Sequence, residues 1–153
     1  MATAIVAAPA LAALLFPARG KIVVEDDGFL DVASIDDLPA DTPSKYVVTA
    51  TRWDAWSRIA GVELGSVWLT RGADGRVTAL STVCPHLGCA VDFLPENRTF
   101  SCPCHASVFD YSGKTTSGPS PRSLDGLEAK VEGKRILVKY RRFLIGAREK
   151  REA

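Results

Sequence analysis

At 153 residues, with 46% hydrophobic and 24% charged side chains, the chain holds enough apolar material for one ordinary globular core. Nineteen basic and eighteen acidic residues leave a formal net charge of +1, which excludes the strong single-sign field of a nucleic-acid binder. The sequence has no glycine-rich phosphate loop and no nucleophile–base pair, so it does not read as a complete enzyme by itself.

The first element is an uncharged run, ATAIVAAPALAALLF at residues 2–16, closed by Pro17, Arg19 and Lys21. A spanning helix needs about 20 apolar residues, and a signal peptide needs a positive flank in front of its apolar stretch. Residues 1–18 therefore read as most of a membrane anchor, short by a few residues and interrupted by Pro9; a buried core helix is the alternative. Residues 19–28, ending in the charges and glycine of EDDG, read as a linker.

Beyond it the pattern is that of an all-β domain. Residues 45–51 (KYVVTAT), 65–71 (GSVWLTR) and 76–83 (RVTALSTV) are rich in β-branched and aromatic side chains and predict strands, the last two joined as a hairpin through Ala73-Asp74-Gly75. The stretch TRWDAWSRIAGVELG, around Trp53 and Trp56, predicts a turn of helix or an irregular insertion. A second hairpin is expected where Leu127, Ala129 and Val131 alternate with Glu128, Lys130 and Glu132 before Gly133-Lys134 turns into RILVKY. The end of the chain, with Arg141, Arg142, Arg148 and Lys150 diluted by Glu149 and Glu152, reads as a solvated charged tail over residues 146–153.

All four cysteines and both histidines lie in two boxes, CPHLGC at residues 84–89 and CPCH at residues 102–105. Thiolates and neutral imidazoles select zinc, iron–sulfur or copper over calcium and magnesium. Zinc satisfies two sulfurs and two nitrogens, Cys84, His86, Cys102 and His105, in a tetrahedral site. That assignment leaves Cys89 and Cys104 without a role, and a core of this size does not need a structural zinc to fold. Four cysteines allow three disulfide connectivities, which sequence alone does not choose between.

The two boxes, extended to Cys84-Pro85-His86-Leu87-Gly88-Cys89 and Cys102-Pro103-Cys104-His105-Ala106-Ser107, resemble the cluster-binding loops of Rieske iron–sulfur proteins of cytochrome bc complexes. The later SGPSPRSL resembles that family's proline loop, with Gly118, Pro119 and Pro121 as its markers. The resemblance implies an antiparallel β-sandwich of the Rieske type with a cluster-binding subdomain, over residues 29–145. It implies that Cys84 and Cys102 bind one iron of a 2Fe-2S cluster and His86 and His105 the other, and that Cys89 and Cys104 form a disulfide. A disulfide fits an oxidising compartment. Together with the anchor it places the domain on the periplasmic face of a bacterial inner membrane.

Two ferric ions, two sulfides, two thiolates and two neutral imidazoles carry no net charge, where four thiolates would leave two negative charges. Reduction is correspondingly easier, and two-histidine clusters lie at about −150 to +300 mV against about −400 mV for plant-type ferredoxins. The resemblance implies a subunit of a quinol:cytochrome c oxidoreductase that takes an electron and proton from quinol, through His105 or His86, and passes the electron to a c-type cytochrome. The expected partners are a cytochrome b subunit, that cytochrome, quinol and the membrane, with no nucleic acid; the linker would act as a flexible tether. A Rieske ferredoxin, or the small subunit of another oxidoreductase such as arsenite oxidase, is the alternative. Ser107 is expected to donate a hydrogen bond to a bridging sulfide. Two positions depart from the family pattern: Ala106 stands where glycine is usual, and Phe109 where many high-potential members carry tyrosine.

Overall fold

The computed structural model describes residues 21–23, 28–53 and 56–153. Eleven strands are present among them: β1 Lys21–Val23, β2 Leu30–Ser34, β3 Ser44–Trp53, β4 Arg58–Arg71, β5 Val77–Ser81, β6 Asp92–Leu94, β7 Thr99–Cys102, β8 Ser107–Phe109, β9 Thr115–Ser117, β10 Gly126–Glu132 and β11 Arg135–Lys139. A larger sheet takes the order β1-β3-β4-β5-β10-β11-β2, and a smaller one takes β6-β7-β8-β9. The strands pair antiparallel with one another, and Ala40 adds an isolated parallel bridge to Arg71. Strand β2 also packs against β3, so the larger sheet folds over into a sandwich.

The base core follows from period-two alternation. Val48 and Ala50 of β3, Val67 and Leu69 of β4, Ala79 of β5, and Ile136 and Val138 of β11 point inward and are buried. Each such aliphatic side chain contributes about 1.5–3 kcal/mol on full burial. On β4 the residue between two of them, Trp68, faces the other way into a second core with Cys84, Val91, Phe100, Cys102, Phe109 and Leu124. Its indole N–H donates to the Val91 carbonyl at 3.1 Å. One tryptophan thus ties the base sheet to the smaller sheet, and Phe100 stacks on it in a tilted pair at 5.6 Å.

The smaller sheet and its loops occupy the chain between β5 and β10. The Ser81 N–H donates to the Asp125 carbonyl at 2.8 Å, and Leu80 pairs with Gly126 in the base sheet. The excursion therefore leaves and rejoins the base at adjacent points. Asp41, ahead of β3, reaches across to it by accepting from Arg98 at 2.9 Å and from the Tyr111 hydroxyl at 3.1 Å.

The three predicted strands before the cysteine boxes, and both predicted hairpins, are present as β3, the β4–β5 pair and the β10–β11 pair. None of the described residues in the stretch around Trp53 and Trp56 is helical. Arg52 and Trp53 pair with Ile59 and Arg58, because β3 and β4 extend together as one long hairpin beyond the core. The stretch read as a linker contains β1, whose backbone pairs with Thr51–Trp53 of β3. The charged end of the chain is exposed over residues 148–153, and it folds back: Phe143 bridges Glu152, and the Gly146 N–H donates to the Pro85 carbonyl. The expected anchor at residues 1–18 lies outside the described residues. Among the described residues no helix is long and apolar enough to cross a membrane.

Candidate metal centre

Three loops meet at one end of the smaller sheet. The first, holding Cys84 and His86, is a tight turn closed by Cys84 N–H to Cys89 carbonyl at 2.8 Å and Gly88 N–H to Cys84 carbonyl at 3.0 Å. Gly88, at φ +82°, takes the left-handed backbone this turn requires. The second loop is the β7–β8 connection, in which Cys102 pairs with Ser107 and His105 sits at the exposed tip. Ala106 takes φ +55° there, a conformation glycine adopts freely and alanine does not.

The third is the loop over residues 117–122. Its backbone lies against the second loop: a Cβ on Gly118 would stand 2.4 Å from Ser107 Cα and 2.6 Å from the Ala106 carbonyl oxygen. Only glycine allows that approach. The Ser120 N–H donates to Ser107 Oγ at 3.1 Å, and the Ser120 hydroxyl donates to the Arg122 carbonyl at 2.8 Å. Pro119 is exposed and Pro121 half-buried, so both prolines stiffen this covering loop from its outer side.

Cys89 and Cys104 are joined as a disulfide that links the first two loops, 15 residues apart in sequence. Cys84 and Cys102 are free thiols, both buried. The sulfurs of Cys89, Cys102 and Cys104 lie within 4.8 Å of one another, but a disulfide offers no thiolate, so this trio is not a ligand set. The sulfurs available to a metal belong to Cys84 and Cys102. Burial pushes the Cys84 thiol up, the neighbouring Cys102 thiol adds to the rise, and the backbone N–H of His86 and the Ser107 hydroxyl act against it. Ser107 thus sits beside the Cys84 sulfur, wholly buried.

The two imidazoles meet edge to face, with ring centroids 4.8 Å apart. His105 is exposed and His86 partly so. His86 Nδ1 is buried and, among the described residues, is the one buried side-chain polar atom without a hydrogen-bond partner. Such an atom is costly unless something binds it. Two buried free thiols, an orphaned imidazole nitrogen and a second imidazole beside it make a sulfur-and-nitrogen donor set suited to a soft metal centre.

A model of the Rieske [2Fe-2S] domain matches residues 28–136. This chain belongs to the Rieske [2Fe-2S] domain family. The cofactor of this Rieske domain is accordingly a 2Fe-2S cluster, and the donor set fits it. Curated relatives include the cytochrome b6-f complex iron-sulfur subunit of Chlorobaculum thiosulfatiphilum, 39% identical over 64 residues, which is 42% of this chain and 35% of that one. The subunit of the same name from Prochlorococcus marinus subsp. pastoris is 34% identical over 100 residues, 60% of this chain and 56% of that one. The Rieske chain thus matches less than two thirds of the length of either relative. Among solved structures, one described as a hyperthermophilic respiratory Complex III aligns with TM-score 0.52 and 25% identity, over 88% of this chain and 92% of that one.

Sequence reasoning missed a fourth participant, the C-terminal hairpin. Phe143 bridges Glu152, and Leu144 N–H donates to the Arg151 carbonyl at 2.9 Å. At its tip the Gly146 N–H donates to the Pro85 carbonyl at 2.8 Å, and Ile145 methyls lie 3.7–3.8 Å from where a Gly88 Cβ would stand. Arg122 joins this hairpin to the covering loop. Its guanidinium pairs with Asp125 through Nε and Nη2 at 3.0 and 2.8 Å, and donates to the carbonyls of Ala147 and Leu144. Both partners of this ion pair are more than nine-tenths buried. The spacing of Arg122 and Asp125 in RSLD was the only hint in the sequence.

Proposed function

We propose that this Rieske domain is the electron-transfer subunit of a membrane-bound quinol:cytochrome c oxidoreductase, working with a cytochrome b subunit and a c-type cytochrome on the periplasmic face of a bacterial inner membrane. Cys84 and Cys102 hold one iron of the cluster, and His86 and His105 hold the other. The observation that carries the reading is that the loop holding the buried free thiol of Cys84 also holds a buried His86 Nδ1 without a hydrogen-bond partner, with the His105 ring against it and Cys102 as the second buried free thiol. When bound, the cluster supplies a one-electron acceptor whose histidine ligation raises its potential far above that of a four-thiolate centre.

The chain's own residues supply the proton chemistry and the access. Loop placement leaves the cysteine side of the site buried and the histidine side at the surface, with His105 exposed. A ring that bound metal through one nitrogen would keep an ionisable N–H on the other; with that proton lost, the bare nitrogen would accept the hydrogen bond of a quinol hydroxyl. The quinol's proton would pass to that deprotonated imidazole and its electron to the bound cluster, so that one hydrogen equivalent leaves the quinol. Leu87, 58% exposed beside His86, gives this end the apolar surface a quinone ring prefers. Names of relatives support the assignment to a bc-type complex: two curated matches are cytochrome b6-f iron-sulfur subunits.

A redox titration of the purified chain at several pH values, read by electron paramagnetic resonance, tests this. The expected result is a positive or near-zero potential that falls as pH rises through the histidine ionisations. A low potential independent of pH would instead assign a ferredoxin-type carrier, and a colourless protein without a signal would sink the cluster assignment.

A further inference from the structure

The disulfide and the covering loop already hold the site from two sides, yet the first loop has a third restraint. Residues 143–153 turn back as a hairpin whose tip touches that loop twice, through the Gly146 N–H on the Pro85 carbonyl and through Ile145 over Gly88. Pro85 lies between the two proposed ligands Cys84 and His86, so whatever fixes its carbonyl fixes the direction of both side chains. Gly146, at φ +70°, is in the left-handed region that aims its N–H outward from the hairpin tip.

Arg122 makes this contact rigid. A planar guanidinium can serve a carboxylate and two carbonyls at once. Here it grips Asp125 by two bonds and the carbonyls of Leu144 and Ala147, which flank the hairpin tip. Lysine in its place would keep the charge for Asp125 but has no fork to hold both carbonyls. Lys150, bonded to the Gly126 carbonyl, pins the hairpin's return strand to the base sheet.

We infer that residues 143–153 form a strap that positions the first cluster loop, and that Arg122 is the positioning residue that locks it. The inference rests on the proposed ligation by Cys84 and His86. The strap limits the opening of the loop that carries one sulfur and one imidazole, and so sets the geometry in which the cluster is held and the rate at which it is lost.

The test compares the full cluster-loaded chain with Arg122→Lys, Ile145→Ala and a chain ending at Arg142. Three readouts are taken: amide hydrogen exchange, the electron paramagnetic resonance line shape of the reduced protein, and the rate at which visible absorbance bleaches in chelator. Local opening of the loop should speed exchange of the Gly88 amide by about tenfold in each variant, while the β10–β11 amides, which report the base sheet, keep their protection. The line shape should shift and the visible absorbance should bleach several-fold faster in chelator, as expected of about one restraint lost among several. If the truncated chain fails to fold, the two point variants decide. Unchanged Gly88 exchange and line shape in folded Arg122→Lys and Ile145→Ala would overturn the inference. A colourless protein with the expected exchange pattern would instead refute the ligation while leaving the strap's hold on the loop in place.

Discussion

Replacing Ala106 by glycine isolates the backbone strain at the cluster's second loop. Ala106 sits at φ +55° between His105 and Ser107, where an L-residue costs roughly 1–2 kcal/mol relative to glycine. Glycine returns about 0.4–1 kcal/mol of this through its greater freedom in the unfolded chain. Ala106 is exposed, so its methyl gives little burial to set against the gain. The net expectation for Ala106→Gly is a stabilisation of about 0.8 kcal/mol, the middle of a range of roughly 0–1.6 kcal/mol. For a chain of this length that is a rise in melting temperature of roughly 2–4 °C per kcal/mol. Melting followed at one fixed scan rate by visible absorbance compares the two chains, since loss of a bound cluster makes the transition irreversible. An unchanged or lower melting temperature would refute the strain argument, because it would mean that the neighbouring bonds already favour this backbone for alanine.

Three other perturbations test separate parts of the structure. Cys89→Ser with Cys104→Ser removes a link closing a 15-residue stretch; urea unfolding of the cluster-free chain should show a loss of about 3 kcal/mol, and an unmoved midpoint would deny the disulfide its clamping role. Phe109 is fully buried in the core that includes both free cysteines. Phe109→Tyr offers a hydroxyl to a ligand sulfur, favouring the reduced state by about 1 kcal/mol, and the midpoint potential should rise by about 40 mV; an unchanged or lower value would count against it. Asp110 is held below the usual carboxylate range chiefly by the Ser112 hydroxyl, then by the Lys114 and Ser112 amides, and Asp41 likewise by Arg98 and Tyr111. Their folded values lie below their unfolded ones, so the stability they add is present above about pH 4 and lost as pH falls through the folded values. Denaturant midpoints measured from pH 6 down to pH 2 should drop over that range, and should drop less in Asp110→Asn.

The base sheet was readable because its strands are half-buried and therefore alternate. Residues 45–51 show this, and Leu127 and Ala129 show it at the start of β10, while Val131 further along is exposed. The smaller sheet was not readable, since β6, β8 and β9 have three residues each, too few for any period to show. The stretch near Trp53 misled because β3 and β4 run on beyond the core, where Ile59 and Trp56 are exposed and no buried face imposes a pattern. At the site, residue types and spacing pointed to the two boxes, and the resemblance to the Rieske proline loop pointed to Gly118 of the covering loop. Charge hid the strap: Arg148, Glu149, Lys150 and Arg151 dominate its composition, while its hold on the first loop comes from backbone groups and one isoleucine. Such contacts leave no compositional trace.

The single hydrogen bond from Ser81 to Asp125 has a bearing on how freely the chain between those residues can vary. With its ends fixed one bond apart on neighbouring strands, the metal-bearing stretch acts as a cassette set into a finished frame. Doubling the length of such a closed stretch costs only about 0.6 kcal/mol, and no register in the frame depends on what it contains. Insertions or deletions there can retune the metal's surroundings without shifting the Val67 to Ser81 or Leu80 to Gly126 pairings. Such changes must still accommodate the frame's own links into the cassette: Trp68 to Val91, Asp41 to Arg98 and Tyr111, and the C-terminal hairpin to Pro85 and Arg122.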